Sequence, residues 1–377
     1  MTEETAITSM PQYPLDRPDR PDRPDRRCII GVDTHKDIHV AVAIDQLGVR
    51  LEELHVPTTT AGYTRLRRWA NELGSVEAFG VEGTGSYGAG LARYLTSFGD
   101  RVVEINRPDR ATRHRLGKSD PIDAEMAARS VLAGVATGQP KHGNGKVEMV
   151  RMLKMAKDSG VKARTQSLNQ MKALLVTAPS DLREELADLS VTTLLQRCAA
   201  FRPGELTCPA AVAKYTLRLL ARRNLELHEE IKNLSERIRL LVGAASPQLL
   251  EIFGVGPDGA ATFLVTAGDN PERLRSEAAF AALCGASPIP ASSGKTHRFR
   301  LNRGGDRQAN ASLHRVVIVR LRWHQPTQDY MTRRLAQGKT KPEIIRCLKR
   351  YVAREIYRTL RPATASADAS RSTATAA

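Results

Sequence analysis

Apolar residues fall in short blocks over the first third of the chain and in long periodic runs beyond it. Cys28-Ile29-Ile30-Gly31-Val32 is a short apolar run with β-branched residues, the pattern of a buried strand. After Thr34-His35-Lys36-Asp37, the alternation Ile38-His39-Val40-Ala41-Val42 predicts a second strand, so Asp33 falls where the first strand emerges into a hairpin. Ala78-Phe79-Gly80-Val81-Glu82 is again a strand, and Gly83-Thr84-Gly85-Ser86 then gives way to the helical spacing of Leu91, Tyr94 and Leu95. Glu82 thus also stands at a strand's end. In Ser119-Asp120-Pro121-Ile122-Asp123, Asp120 reads as an N-cap and Pro121 as the first helical residue, with Ala-rich turns following. The clearest periodicity comes later: Leu217, Leu220, Asn224, Leu227, Ile231, Leu234, Ile238 and Leu241 alternate spacings of three and four, the a/d pattern of a coiled coil. Its one polar member, Asn224, costs stability while fixing register or oligomer state, so the helix is expected to pair two protomers. A hairpin against the helix around 147–176 of the same chain is the competing reading.

The chemistry rests on Asp33, Glu82, Asp120 and Asp123. Carboxylates at neighbouring strand tips repel unless compensated, and Mg²⁺ or Mn²⁺ is the natural compensator where phosphate is processed. Asp120 and Asp123, three residues apart on a helix, face the same way. Capping alone also explains Asp120, and the positive helix N-terminus also explains Asp123 or Glu125. Asp37, Asp45 and Glu125 read as solvated. A second candidate is the turn Ser292-Ser293-Gly294, where a hydroxyl needs a base, a metal or surrounding positive charge to act as a nucleophile. Lys295, His297, Arg298 and Arg300 supply such charge. Between these regions, Gly254-Val255-Gly256-Pro257-Asp258-Gly259 has the pattern of a helix-hairpin-helix turn, whose backbone N–H groups hold phosphate.

Gly-Val-Asp-Thr-His-Lys at 31–36, Val-Glu-Gly-Thr-Gly-Ser-Tyr at 81–87 and Lys-Ser-Asp-Pro-Ile-Asp-Ala at 118–124 resemble the three motifs of the DEDD transposases of insertion sequences. These are relatives of the Piv invertase, now understood as bridge-RNA-guided recombinases, and their N-terminal domain resembles the RuvC junction resolvase. The resemblance implies a ribonuclease-H-like fold and a metal-binding tetrad of Asp33, Glu82, Asp120 and Asp123. Residues 284–295 and 300–310 resemble the family's C-terminal transposase domain, which carries a serine held to attack DNA. Counting from Pro288, that serine falls on Ser293, with Ser292 one residue out of register. The resemblance further implies donor and target DNA, a noncoding bridge RNA, and assembly as a homodimer or a dimer of dimers, the tetrad of one subunit meeting Ser293 of another.

Composition shifts the weight toward nucleic acid. The net charge is +16, and residues 295–360 hold 17 Lys/Arg against 4 Asp/Glu. Such an excess predicts polyanion binding, with Lys118, Lys295, Arg298, Arg300, Arg303 and Arg307 as the expected contacts. Five scattered cysteines indicate neither a zinc site nor a disulfide framework. The absence of a membrane-length apolar run and of a signal-peptide core points to the cytoplasm.

The expected organisation is a disordered tail (1–27), a RuvC-like α/β domain (28–140), an all-α coiled-coil region (141–246), a mainly α transposase domain with the helix-hairpin-helix-like element (247–362) and a second tail (363–377). The expected function is a transposase or site-specific recombinase that joins strands through a serine and a Mg²⁺ (or Mn²⁺) site. A metal-dependent nuclease or junction resolvase, and a non-catalytic nucleic-acid-binding protein, are the alternatives.

Overall fold

The computed structural model describes residues 26–105, 119–295 and 299–361. Both expected tails lie outside them, apart from Arg26 and Arg27, the latter opening the first strand. The chain divides into two compact units, residues 1–140 and 141–377.

The first unit is built on a five-stranded mixed sheet in the order β3-β2-β1-β4-β5, with β1 Arg27–Thr34, β2 Ile38–Asp45, β3 Arg50–Pro57, β4 Ser75–Glu82 and β5 Val102–Ile105. A tight turn closed by His35 N–H donating to the Ile38 carbonyl (3.2 Å) makes β1 and β2 antiparallel, and β3 continues the meander. Parallel neighbours need a crossover, and α1 (Thr60–Leu73) and α2 (Ala89–Ser97) lead into β4 and β5. Ile30, Val32, Ala41, Phe79 and Val81 face the first two helices, packing on Leu66, Ala70, Leu91 and Leu95. Ile29, Val42, Ile44, Ala78 and Val103 face the other way, onto Ala124, Ala127, Ala128 and Val131 of α3 (Asp120–Leu132). Strands covered on both faces read as unbroken apolar runs, as Cys28–Val32 of β1 and Ala78–Val81 of β4 do.

Gly31 sets how closely α3 approaches. A Cβ there would lie 1.9 Å from the Ala124 carbonyl oxygen and 2.5 Å from the Ala128 nitrogen. Only a residue without a side chain lets the helix backbone rest on the strand.

In the second unit, α4 (Lys146–Thr177) is followed by the short α5 (Ser180–Leu186) and α6 (Val191–Ala199), and then by the long α7 (Pro209–Ala245). The two long helices run antiparallel: Lys146 Nζ donates to the Ala244 carbonyl (3.1 Å), and midway Asn224 Nδ2 donates to the Arg164 carbonyl (2.8 Å). Leu217, Asn224, Ile231 and Ile238 are buried, while Leu220, Leu227, Leu234 and Leu241 are half-buried. The first of the two columns of the a/d pattern is thus covered by α4 of the same chain, the hairpin pairing weighed in the sequence reading. Asn224 finds its partner there too, donating to Ser167 Oγ at 2.8 Å.

The base of this hairpin, through Val147, Val150, Ile238 and Val242, joins the core of the remaining helices. These are α8 (Gln248–Glu251), α9 (Pro257–Ala267), α10 (Glu277–Leu283), α11 (Arg307–Trp323), α12 (Gln325–Ala336) and α13 (Lys341–Leu360). Phe263, Phe280, Leu313, Val317 and Ile356 are its fully buried centre. A two-residue pairing of β6 (Ile289–Pro290) with β7 (Phe299–Arg300) projects between α10 and α11 in the chain. Among the described residues no helix is long and apolar enough to cross a membrane.

Candidate active site

Register builds the acidic site. In the parallel pair β1/β4, Val32 stands opposite Val81, so the next residues, Asp33 just before the end of β1 and Glu82 at the end of β4, fall side by side. Both continue the alternation of Ile29 and Gly31, and of Ala78 and Gly80, the set that faces α3. The first turn of α3 carries Asp120 and Asp123. Asp33 and Asp123 are buried, while Glu82 and Asp120 are half-buried. The N-cap of α3 is Ser119, one residue before the expected position, and Asp120 is the first helical residue. Its carboxylate is therefore free of a capping role and reaches His35 instead.

His35 Nε2 lies 3.3 Å from Asp33 Oδ2 and 3.3 Å from Asp120 Oδ2. One donor atom from each of the three residues falls within 4.8 Å of the others. Burial pushes the Asp33 pKa above the ordinary carboxylate value, and the charges of Asp120 and Asp123 push it the same way; His35 works against them. The fold thus holds like charges together against their repulsion, a situation a bound cation relieves. An oxygen-rich donor set fits a hard divalent ion.

The strand end bearing Glu82 is fixed by its surroundings. Thr34 Oγ1 donates to the Glu82 carbonyl (2.9 Å), and Ser86 and Gly88 both donate backbone N–H groups to the Gly83 carbonyl. Gly83 has φ +63°, and a side chain there would crowd Thr34 and Ser86. The structure brings Asp33 and Asp120, two of the four expected acids, together with His35, which the sequence motif contained but the expected ligand set left out. The available signal was its position two residues after Asp33 in a turn too short to carry it far away.

In the second unit, Ser292, Ser293, Gly294 (φ +54°) and Lys295 lie between β6 and β7 and are exposed. Lys118, His297 and Arg298 lie outside the described residues. The segment after β7 separates into scaffold and surface. Asn302 Nδ2 donates to the Ala282 carbonyl, Asp306 caps α11, and Asn310 Nδ2 bonds the Cys284 and Gly285 carbonyls. Gly305 rests directly on Gly285, where a Cβ would come within 2.2 Å of the backbone nitrogen. Arg300, Arg303 and Arg307 are exposed, with no ion-pair partner among the described residues. Arg300 at the end of β7, Arg303 on the anchored loop and Arg307 at the start of α11 thereby present three guanidinium groups to solvent, an arrangement suited to phosphate.

The glycine-rich turn before α9 has Gly254 at φ +84° and Gly256 as N-cap. Asp258, in the first turn of α9, accepts from Lys154 (3.1 Å) and Lys157 (2.8 Å) of α4. Burial raises the Asp258 pKa, but the lysine hydrogen bonds and charges outweigh it and hold the carboxyl below its usual value.

Residues 30–178 match the family model of the DEDD transposases of IS110 type. Residues 246–332 match that of transposases of the IS116/IS110/IS902 family. No curated protein matches the chain.

Proposed function

The chain belongs to the DEDD transposases of insertion sequences, and from that membership we propose that it cuts and rejoins DNA through Ser293 and a divalent-metal site formed by Asp33, Glu82, Asp120 and Asp123. The convergence of Asp33, Asp120 and His35 at the end of β1 carries this reading, and the sheet order, with its antiparallel meander continued by two parallel strands, supports a RuvC-like or ribonuclease-H-like fold for the first unit.

Bound at the tetrad, Mg²⁺ or Mn²⁺ would neutralise phosphate charge and polarise the scissile group. The four carboxylates would hold the ion, with Asp33 and Asp123 buried. Ser293 Oγ attacks phosphorus: a new Oγ–P bond forms, the P–O bond to one deoxyribose breaks, and the released alcohol takes up the proton the serine gives up. The phosphoserine link conserves the bond energy, and the free alcohol of a second strand reverses the step to complete the exchange. Lys295, Arg300, Arg303 and Arg307, together with Lys118 and Arg298, position donor and target DNA by their phosphates. The glycine turn before α9 serves as a helix-hairpin-helix phosphate contact.

Family resemblance adds a structured bridge RNA that pairs with both DNA partners, and assembly as a homodimer or a dimer of dimers. In the half-buried second column of α7, Leu220 and Leu241 pack on cores of their own chain, and Leu227 and Leu234 are the positions assigned to coiled-coil contact with another protomer.

Single substitutions test the mechanism. Ser293→Ala abolishes strand exchange and any covalent protein–DNA adduct, whereas a nuclease that activates water through the four acids survives it. Asp33→Ala removes metal-dependent chemistry while DNA binding persists. Recombination by both variants at the parent's rate, measured on a plasmid substrate with denaturing gels for the adduct, would refute the proposal.

A further inference from the structure

We infer that His35 is a nitrogen ligand of the cation site, forming with Asp33 and Asp120 a mixed imidazole–carboxylate set that takes Mn²⁺ in preference to Mg²⁺. The inference rests on the metal-dependent reading above and adds a residue outside the four-acid motif.

Geometry comes first. Ligand atoms bound at ~2.1 Å in adjacent positions of an octahedron stand about 3 Å apart. His35 Nε2 is 3.3 Å from an oxygen of each of two carboxylates, close to that spacing on both sides at once. The oxygens come from different elements, Asp33 from β1 and Asp120 from α3, so the imidazole bridges the two halves of the site. The turn is also held from outside. Thr58 Oγ1 donates to the Lys36 carbonyl (2.8 Å), Thr58 N–H donates to the Asp37 carbonyl (3.0 Å), and His35 N–H closes the hairpin onto Ile38. A ligand on a pinned turn loses little freedom on binding.

Chemistry then sets the preference. Carboxylate and water ligands suit Mg²⁺ and Mn²⁺ alike, whereas imidazole is a borderline donor that favours first-row transition ions. One imidazole among oxygens therefore weights the site toward Mn²⁺ without abandoning the octahedral, oxygen-rich surroundings both ions accept.

The test uses the full chain and Mn²⁺ alone, read by electron paramagnetic resonance. Pulsed spectra of the bound ion are expected to show the ¹⁴N coupling of a directly coordinated imidazole. His35→Ala removes that coupling and weakens Mn²⁺ binding by at least the roughly tenfold that even an outer-shell partner contributes, while Mg²⁺ binding, followed by competition, changes less. Mn²⁺ bound in an Asp33-dependent way, lost in Asp33→Asn but without ¹⁴N coupling in the parent, overturns the His35 assignment and leaves the acidic site standing. Mn²⁺ binding that ignores Asp33→Asn overturns both.

Discussion

His39 is buried to zero exposure, and neither ring nitrogen has a hydrogen-bond partner among the described residues. Its ring stacks on Tyr63 with centroids 5.7 Å apart and planes within 5°. Burial, the largest cause, pushes its pKa down to about 4 from 6.5, and His35 adds to the effect. The folded protein therefore keeps His39 neutral, and the unfolded chain binds the proton more readily. The stability this contributes is fully present above about pH 6.5 and is lost as pH falls toward 4. By pH 5 the loss is about 2 kcal/mol. His39→Phe keeps the stacked ring and removes the titration, so denaturant melts at pH 7 and pH 5 are expected to differ less for the variant by about that amount. Equal losses in parent and variant would show that His39 is not held neutral by the fold. The two histidines near the site also mark what a sequence conceals. Alternation placed His39 in a strand and His35 in a turn, but burial of the first and the double carboxylate contact of the second depend on which elements pack around them.

Among the elements, the approach of α3 to β1 decides whether Asp120 reaches His35 and Asp33. Strand ends, hairpin and glycine-rich turn were legible because period-2 patterning and turn residues are local signals. The register that sets Asp33 beside Glu82 was not, since it follows from a parallel pairing across 49 residues of chain. Gly31→Ala tests the element directly, because its methyl group would strike the Ala124 carbonyl and lift the first turn of α3 with Asp120 and Asp123. It is expected to lower stability by about 1–3 kcal/mol and to cut strand exchange strongly with every acid intact. Gly85→Ala is the control, since nothing lies within 4 Å of a Cβ there, and it should recombine as the parent does. Activity in Gly31→Ala equal to that of Gly85→Ala would mean that helix placement does not govern the chemistry. The long helix α7 teaches a related lesson. Its heptads announced a seam, but an a/d stripe looks the same whether the partner helix is in the same chain or another. Asn224 finds its partners, the Arg164 carbonyl and Ser167 Oγ, on α4, and nothing in the heptad spacing points to them.

At the scale of the molecule, charge is segregated. Residues 1–140 hold 18 Lys/Arg and 20 Asp/Glu, whereas residues 141–377 hold 39 and 21. The unit with the acidic site is thus slightly negative by itself, and a polyanion has no general electrostatic reason to approach it without cations at the tetrad. The second unit has the opposite bias, with Arg300, Arg303 and Arg307 displayed on and at the two ends of a loop anchored by Asn302, Gly305 and Asp306. Binding and chemistry are therefore expected to respond to different substitutions. Each phosphate contact contributes about 0.9 to the slope of log affinity against log salt on duplex DNA. Arg303→Ala combined with Arg307→Ala should flatten that slope by roughly 1.8, measured on duplex DNA by fluorescence anisotropy across a salt series. Asp33→Asn should leave the slope unchanged while strand exchange disappears. A double arginine variant with the parent's slope would move the phosphate contacts off this loop, and a slope altered by Asp33→Asn would show that the acidic unit takes part in holding the duplex.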